Sequence, residues 1–353
     1  EHTALEMTGR DRPGLLSEIA AVLAELGCHV TAAVAWTHST RVASIIYVED
    51  EIKGGPITDL SRLAHVQEQL ENVVEAHHRT GERRSVRLTA PAAGQTHTER
   101  RLHQLMAADR DYEECCGGSG GGEVCGNGRE HDRHRKGSDG THVTIENCKE
   151  KGYSVVNVTS RDRLKLLFDT VCTLTDLQYV VFHAAISSEG STAFQEYYIR
   201  QKDGCTLDSE SERRRVIQCL IAATERRDAR GLKLDVCTRN RLGLLSDITR
   251  VFRENGLSIT RAEIGTRGER AVGSFYVTDA AGHDVNPDTV EVVRQEIGGT
   301  VLVVNKSSGW PPQTSTSGIG KSSAVEDRPR FSLGNLFWSQ LERLSSNFGP
   351  IKS

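Results

Sequence analysis

A ten-residue segment, TGRDRPGLLS at 8–17, recurs twice further along the chain. The later copies read TSRDRLKLLF at 159–168 and CTRNRLGLLS at 237–246, so the offsets are 162 − 11 = 151 and 240 − 162 = 78 residues. At the same offsets Tyr47, Tyr198 and Tyr276 also coincide, well downstream of each segment. A register kept over that length indicates three copies of one structural unit, here named copy one, copy two and copy three.

Each copy predicts the same opening order of elements. A short β-branched run, such as YSVVNV at 153–158, is typical of a strand and precedes the polar turn. Apolar residues then recur at i, i+4, i+7, i+8 and i+11 from Leu15, which is the spacing of one buried helical face, and Gly27 follows where that helix should end. Two further apolar runs follow, at 29–37 and 43–48. The segment between them, HSTR at 38–41, has a length suited to the turn of a hairpin.

A second helix and a final strand complete the unit. Ser209 and Glu212 predict a capping box in copy two, and Asn286 and Pro287 predict the start of the helix in copy three. Final strands are predicted at 85–89 and at 300–304. The order β-α-β-β-α-β predicts an α+β fold of tandem ferredoxin-like units, with antiparallel sheets and helices on one face.

Copy two departs from this plan. One strand-like run, 232–237, lies between its second helix and the turn of copy three, and copy three needs that run as its first strand. We therefore predict that the fourth strand of copy two is missing or shared. Because proteins usually cover unpaired sheet edges, we expect copies two and three to pack edge to edge or to share a sheet with a partner.

The repeat divides the chain into five segments. The copies are predicted at 1–89, 151–230 and 231–307. A linker rich in Gly, Cys and His at 90–150 is expected to be disordered. The last segment, 308–353, is Ser-rich and then apolar.

Composition excludes several classes of protein. Of the 353 residues, 37% are hydrophobic and 26% are charged, and no apolar run reaches the ~18 residues of a membrane-spanning helix. The formal net charge of −4 argues against a nucleic-acid binder, which needs a concentrated basic surface. Nine cysteines, an odd number without a signal-like start, fit a reducing compartment with free thiols. We expect a cytoplasmic protein, with the nucleus as a further compartment.

The three turns, set in this frame, resemble those of ACT domains. Longer motifs are similar to those of the plant ACT-domain-repeat (ACR) proteins: LLFDTVCTLTD at 166–176, QEYYIR at 195–200, SDITRVFRENG at 246–256 and the segment 101–113. The resemblance covers most of the chain. ACR proteins in turn resemble the tandem ACT region of bacterial nitrogen-sensing uridylyltransferases.

The resemblance implies a regulatory protein that is not an enzyme. It implies that the domains bind free amino acids, need no cofactor, and form homo-oligomers or act on a regulated partner protein. Such proteins typically carry four ACT units, so a further unit is expected before residue 1. Sensing of amino-acid or nitrogen metabolism is the implied function.

The turn of copy one has the features of an anion site, independently of the resemblance. Gly14 lets the backbone come close to a small molecule, and Leu15 opens a helix whose first N–H groups lack partners. A carboxylate suits that helix end. Asp11 lies three residues earlier, where its carboxylate could cap the helix or accept from an ammonium group. A free amino acid offers both charges.

Asn240, Gly243 and Leu244 repeat this arrangement in copy three, and Asp162 repeats part of it in copy two. Lys165 replaces the glycine in copy two, so copies one and three are the favoured sites. Arginines flank each turn, and two interpretations stay open for them: a fork that grips a carboxylate, or a solvated loop face.

Catalysis and metal binding are not expected. No His, Cys or Ser recurs at the turn as a base or nucleophile. The cysteines and histidines between 115 and 148 could bind zinc in principle, but their spacing is poor and a glycine run separates them. RNA binding would need a K/R-G-F/Y pattern, which RAVGSFYV at 270–277 lacks.

The apolar residues of the tail, between 331 and 348, leave three interpretations open. The tail docks back on an ACT surface, binds a partner, or lies on a membrane. An alternative to the amino-acid sensor is therefore a scaffold that binds no ligand and recruits a partner through this tail.

Overall fold

A computed structural model describes residues 2–38, 40–76, 84–89, 97–110, 140–204, 206–227, 231–298 and 302–305. None of the helices in these ranges is long and apolar enough to cross a membrane. The predicted tail at 308–353 and most of the Cys- and His-rich segment lie outside the described residues. Five cysteines inside them carry free thiols, namely Cys28, Cys148, Cys172, Cys219 and Cys237.

Copy one has the predicted order of elements. They are β1 (Thr3–Arg10), α1 (Leu15–Glu25), β2 (Cys28–His38), β3 (Arg41–Asp50), α2 (Leu60–Glu75) and β4 (Ser85–Thr89). A helix that the sequence analysis did not predict, α3 (Thr98–Ala108), follows within the expected linker. The antiparallel pairing of β1 with both β3 and β4 gives the ferredoxin-like plan.

Copies two and three follow. Copy two contains β5 (His142–Cys148), β6 (Tyr153–Arg161), α4 (Leu166–Asp176), β7 (Tyr179–Glu189), β8 (Thr192–Gln201) and α5 (Glu210–Arg226). Copy three contains β9 (Leu232–Arg239), α6 (Leu244–Glu254), β10 (Leu257–Arg267), β11 (Arg270–Asp279), α7 (Pro287–Ile297) and β12 (Leu302–Asn305).

The fourth strand of copy two comes from before its first strand. The four-stranded sheet has the order β5-β6-β8-β7, and β5 pairs antiparallel with β6. The sequence analysis searched only after α5 and was wrong about the missing strand. An edge position requires only a hydrogen-bonding neighbour, so the preceding hairpin strand fills it as well as a following one does. The linker therefore contributes both α3 and β5.

Copies one and three, not copies two and three, share a sheet. Eight strands follow the order β12-β9-β11-β10-β2-β3-β1-β4, joined where β2 pairs antiparallel with β10. Val34 lies opposite Glu263 at the centre of this pairing. One hydrophobic core runs under both copies and includes Leu23 of α1 and Phe252 of α6, each completely buried.

The second face of the shared sheet is covered by α3 and α5. Trp36 and Ile45 point away from the first core and pack against Leu102 and Leu105 of α3. Arg101 of α3 forms a bidentate ion pair with Glu6 of β1, at 2.6 and 2.7 Å. Adjacent Arg100 forms one with Asp176 of α4, at 2.5 and 2.7 Å. This helix therefore joins copy one to copy two.

Both helices start where the sequence predicted, after Ser209 and Asn286, but only one start has its predicted side-chain bond. Asn286 caps α7, because its side chain accepts from the Asp288 N–H at 2.9 Å, and Pro287 is the first helical residue. Ser209 makes no side-chain bond to the start of α5. Glu212 instead accepts from the Tyr179 hydroxyl at 2.5 Å, so the capping box in copy two was wrong. Glu212 thus bonds to Tyr179 of β7 and not to the backbone at the start of its own helix.

Candidate functional site

The predicted glycine turns form the starts of α1 and α6. Gly14 and Gly243 adopt left-handed backbone conformations, with φ of 84° and 72°, which residues other than glycine rarely adopt. The Glu18 N–H donates to the Gly14 carbonyl at 3.0 Å as the first backbone bond of α1. As at any helix start, the amides before that bond need partners from outside the helix.

The first amides of the two helices are already engaged within the turn. The Leu15 N–H donates to the Arg12 carbonyl at 3.2 Å, and the Leu244 N–H donates to the Arg241 carbonyl at 3.3 Å. The amides of the next two residues in each helix are therefore better placed for a ligand. Leu15 and Leu244 line the cavities described below, with their amides turned into the local structure.

A cavity that opens to solvent lies at the turn of copy one, and its empty space, part of it open solvent, is about 660 Å³. Asp11, Gly14 and Leu15 line one side of it. The other side belongs to copy three and includes Thr249 and Arg253 of α6. The stem of Arg253 crosses the turn so closely that a Cβ on Gly14 would lie 2.9 Å from its Cδ. A side chain at Gly14 would therefore be strained by the positive φ and would require the Arg253 side chain to move.

A second cavity that opens to solvent lies at the turn of copy three, and its empty space, part of it open solvent, is about 540 Å³. Asn240, Gly243 and Leu244 line it together with Ala20 and Ala24 of α1. A Cβ on Gly243 would lie 3.8 Å from the Ala24 Cβ, which is ordinary van der Waals contact. Each turn therefore faces the neighbouring copy rather than solvent alone.

The two cavities are related by the repeat but differ in chemistry. Thr249 and Arg253 of α6 occupy the repeat positions of Ala20 and Ala24 in α1. The cavity at copy one therefore holds a guanidinium and a hydroxyl where the cavity at copy three holds two methyl groups. The internal repeat therefore gives two cavities in related positions with different polarity.

Asp11 does not cap α1. The cap position is Gly14 and no side-chain bond closes it. The Asp11 N–H instead donates to the Thr40 carbonyl at 2.7 Å, which fixes the turn against the β2–β3 hairpin. Burial raises the pKa of its carboxyl from 3.8 to about 6, although a backbone bond and the positive charges of Arg12 and Arg226 oppose the shift. Because burial destabilises the charged form of this carboxyl, a cation placed beside it would stabilise that form.

We expect Asp11→Asn to remove a pH dependence of folding stability. Because the folded-state pKa of Asp11 is raised, its contribution is lost as pH rises through about 6. Urea denaturation should show that the wild-type chain loses about 1 kcal/mol more than the variant between pH 5 and pH 7.5. Asp162→Asn is the matched control, because Asp162 is exposed at the same repeat position. Equal pH dependence in wild type and Asp11→Asn would contradict the prediction.

Asn240 is held across the interface. Its Nδ2 lies 2.9 Å from Nε2 of His29, which belongs to β2 of copy one. Its backbone N–H donates to the Glu269 carbonyl at 2.7 Å, as the Asp11 N–H does to Thr40. The Asn240 side chain therefore forms part of the contact between copies three and one.

The second arginine of each turn forms an ion pair within its own copy. Arg12 pairs with Glu18 at 2.5 Å, and Arg241 pairs with Asp247 at 2.5 Å. The acid lies six residues after the arginine each time, in the first turn of the helix. In copy two Arg163 pairs with Asp169 at 2.8 Å. The interpretation as a carboxylate fork is weakened for these arginines, because their guanidinium groups are engaged by the protein.

The turn of copy two is covered by α3. Lys165 adopts the left-handed conformation of the glycines, with φ of 63°, and its Nζ lies 3.0 Å from both carboxylate oxygens of Glu99. Asp162 is exposed and is not among the residues lining the two cavities. The predicted residues of copy one therefore line one cavity and those of copy three line the other. Asp162 lines neither of them.

A buried charged cluster lies behind that turn. Asp169 accepts from Nε and Nη2 of Arg227, both at 2.7 Å, and its Oδ1 lies 2.9 Å from Nε2 of His103. Nη1 of Arg227 donates to Glu99 at 2.7 Å, and its guanidinium stacks 4.5 Å from the ring of Trp36. Burial raises the pKa of Asp169, but hydrogen bonds from His103 and Arg227 and the arginine charge outweigh it and hold the pKa below 3.8.

Comparison with known proteins places the repeat in a family. The ACT domain model matches residues 3–75 and 234–298, which are copies one and three. The ACT domain-containing protein ACR1 of Arabidopsis thaliana is 53% identical over 357 aligned residues, which cover 99% of this chain and 73% of that protein. The chain belongs to the ACR family of ACT domain-containing proteins. The predicted resemblance and fold class are confirmed.

Two further relatives agree with this assignment. ACR3 of Arabidopsis thaliana is 46% identical to this ACR chain, covering 95% of the chain and 71% of that protein. A bifunctional uridylyltransferase/uridylyl-removing enzyme of Gluconobacter oxydans (strain 621H) is 39% identical over 69 residues, covering 20% of the chain and 7% of the enzyme. ACT domains are regulatory, amino-acid-binding modules that often oligomerise.

Sequence reasoning missed the residues that face the turns of this ACR chain from the other copy. Arg253, Ala24 and His29 were not predicted, because their role depends on which copies share a sheet. The repeat could have predicted one of them, since a pairing of copies one and three places Arg253 opposite Gly14. Among the described residues no group of three or more His, Cys, Asp or Glu side chains is arranged to hold a metal.

Proposed function

We propose that this chain is a non-catalytic regulator that binds free amino acids between copies one and three and reports amino-acid or nitrogen status. The observation that carries the proposal is the position of the two glycine turns. Each turn presents a helix start to a cavity whose far side belongs to the other copy. A ligand in either cavity contacts both copies.

The magnitudes favour a site at an interface over a site on one turn. A carboxylate at an exposed helix start gains about 0.3–1 kcal/mol, whereas millimolar binding needs about 4 kcal/mol. Burial of ~100 Å² of apolar ligand surface adds about 2.5 kcal/mol. The apolar side chains in each cavity, such as Ile19 and Ile248, supply such a surface.

The same arrangement supplies the regulatory step. A ligand that touches both copies binds their packed arrangement better than a separated one, so occupancy stabilises the shared sheet. The paired helix starts of α1 and α6 are the elements that such a ligand would hold together. Asp11, Asn240 and the amides beyond Leu15 and Leu244 are the proposed contacts for its ammonium and carboxylate groups.

Thermal unfolding against each of the twenty amino acids at millimolar concentration tests the proposal. A ligand at 100 times its dissociation constant should stabilise the chain by about 2.7 kcal/mol. Gly14→Lys or Gly243→Lys should abolish the stabilisation. Lysine is tolerated at this repeat position, as Lys165 shows, so the variants should still fold.

Gly256→Lys is the matched control. Gly256 has a similar φ of 69°, and a Cβ there would meet no heavy atom within 4 Å. It should keep the ligand effect. If no amino acid stabilises a cooperatively unfolding chain, the sensor proposal fails and the scaffold alternative gains support.

A further inference from the structure

The cavities at the turns of copies one and three differ in polarity at four pairs of repeat positions. In each pair the cavity at copy one has the more polar side chain. The pairs, with the residue at copy one's cavity first, are Asp11 and Asn240, Ser44 and Gly273, Thr249 and Ala20, and Arg253 and Ala24. Two cavities in related positions therefore present different surfaces to a ligand.

The charges that line the cavity at copy one leave a cation available. Three arginines and one acid line it: Arg12, Arg253, Arg261 and Asp11. Arg12 pairs with Glu18 and Arg261 pairs with Glu263, and neither glutamate lines the cavity. The Arg253 guanidinium makes no hydrogen bond or ion pair with any residue that the structure describes. Its positive charge is thus open to a ligand.

The cavity at copy three has a different character. Among the described residues Arg241 is the one charged residue that lines it, and Arg241 pairs with Asp247 at 2.5 Å. Ala20 and Ala24 line the side that belongs to copy one. A charged ligand group placed against these methyl groups would lose hydration without gaining a partner. An aliphatic group placed there would gain from being removed from water.

We propose that the two cavities take amino acids of different side-chain class, an acidic one at copy one and an aliphatic one at copy three. The inference rests on the proposed function and adds the ligand class of each cavity. The repeat keeps the glycine turns and helix starts, which suit the groups that all amino acids share. The residues of the facing helix differ, as the side chains of amino acids do.

Arg253 is the residue that selects the acidic side chain. Its guanidinium offers paired N–H donors that match a carboxylate, and its stem already packs across Gly14 at the turn. Thr249 donates its hydroxyl proton to the Leu245 carbonyl at 2.7 Å, so the selectivity is assigned to Arg253. Because Arg253 is exposed, solvent weakens the pair, and we expect about a tenfold preference for the charged ligand.

Isothermal titration of the full chain with L-glutamate, its uncharged isostere L-glutamine and L-leucine tests the assignment. Gly243→Lys blocks the cavity at copy three, so this variant measures the cavity at copy one. We expect glutamate to bind it about tenfold more tightly than glutamine. Adding Arg253→Ala should bring that ratio close to one. Arg250→Ala is the matched control and should keep the ratio, because Arg250 is exposed on the same helix but lines neither cavity.

The reciprocal variant tests the cavity at copy three. Gly14→Lys blocks the cavity at copy one, and in this variant we expect leucine to bind about tenfold more tightly than glutamate. Adding Ala24→Arg gives the remaining cavity the arginine that its counterpart has. Glutamate should then bind about tenfold more tightly than before the addition.

The outcomes separate this inference from the proposed function. Equal affinities for glutamate and glutamine in Gly243→Lys overturn the inference alone, since amino acids still bind. So does an equal loss of both ligands on adding Arg253→Ala, which would assign Arg253 to the carboxylate that all amino acids share. Tighter binding of glutamate than of leucine in Gly14→Lys overturns the assignment at copy three. If the wild-type chain binds none of the twenty amino acids, the proposed function fails and this inference fails with it.

Discussion

Replacing Asp169 by Asn is expected to destabilise the chain by about 3–5 kcal/mol. The Asp169 side chain has no exposed surface, and it is the shared acceptor for Arg163, Arg227 and His103. Asparagine keeps the size but removes the negative charge, so Arg163 loses the carboxylate 2.8 Å away and the buried Arg227 keeps only its bond to Glu99 among the ion pairs of this cluster. Breaking one side of a buried ion pair costs far more than the net contribution of the intact pair.

Urea denaturation at pH 7 measures this effect, with Asp247→Asn as the matched control. Asp247 has the same repeat position and pairs with Arg241, but 43% of its side chain is exposed. We therefore expect a loss below about 1 kcal/mol for the control. Because the folded-state pKa of Asp169 is lowered, its contribution is present above pH 3.8 and lost as pH falls below that value. Equal losses in the two variants would contradict the account of the cluster.

Replacing Ala262 by Arg is expected to destabilise the chain by about 3 kcal/mol or more. Ala262 lies on β10 directly opposite Ala35 of β2, and it has no exposed surface. An arginine there must either displace the shared core or separate the two strands. Both outcomes remove the junction between copies one and three.

The matched control for this variant is Ala184→Arg. Ala184 has the same repeat position on β7, but it is exposed. We expect a change within about 0.5 kcal/mol by urea denaturation. A loss as large as that of Ala262→Arg would show that the edge of copy two is covered within the chain.

The sequence predicted the elements well where their signals are local. The turn glycines, the helix spacing from Leu15 and the proline start of α7 act over a few residues, and the structure follows them. The sheet junction was mispredicted, because copies one, two and three carry the same edge and local patterns do not say which edges meet. β5 was missed for a related reason, since the strand arrives from the opposite side along the chain.

The candidate site divides in the same way. Gly14 and Gly243 were predicted from the conformation that their turns require. Arg253 and Ala24, which give the two cavities different chemistry, follow from the pairing of β2 with β10 and so were not predicted. Glu99 pairs with Lys165 at the turn of copy two, and it belongs to a helix inside the expected linker. The lysine in place of glycine was the feature of that turn that the sequence analysis noted.

Isothermal titration with the amino acid that stabilises the chain most tests the central claim directly, namely that ligands bind between copies one and three. We predict saturable binding to the wild type and to Gly256→Lys. The double variant Gly14→Lys/Gly243→Lys should bind none, although it folds. Wild-type affinity in that double variant would contradict the claim and place the ligand elsewhere on the chain.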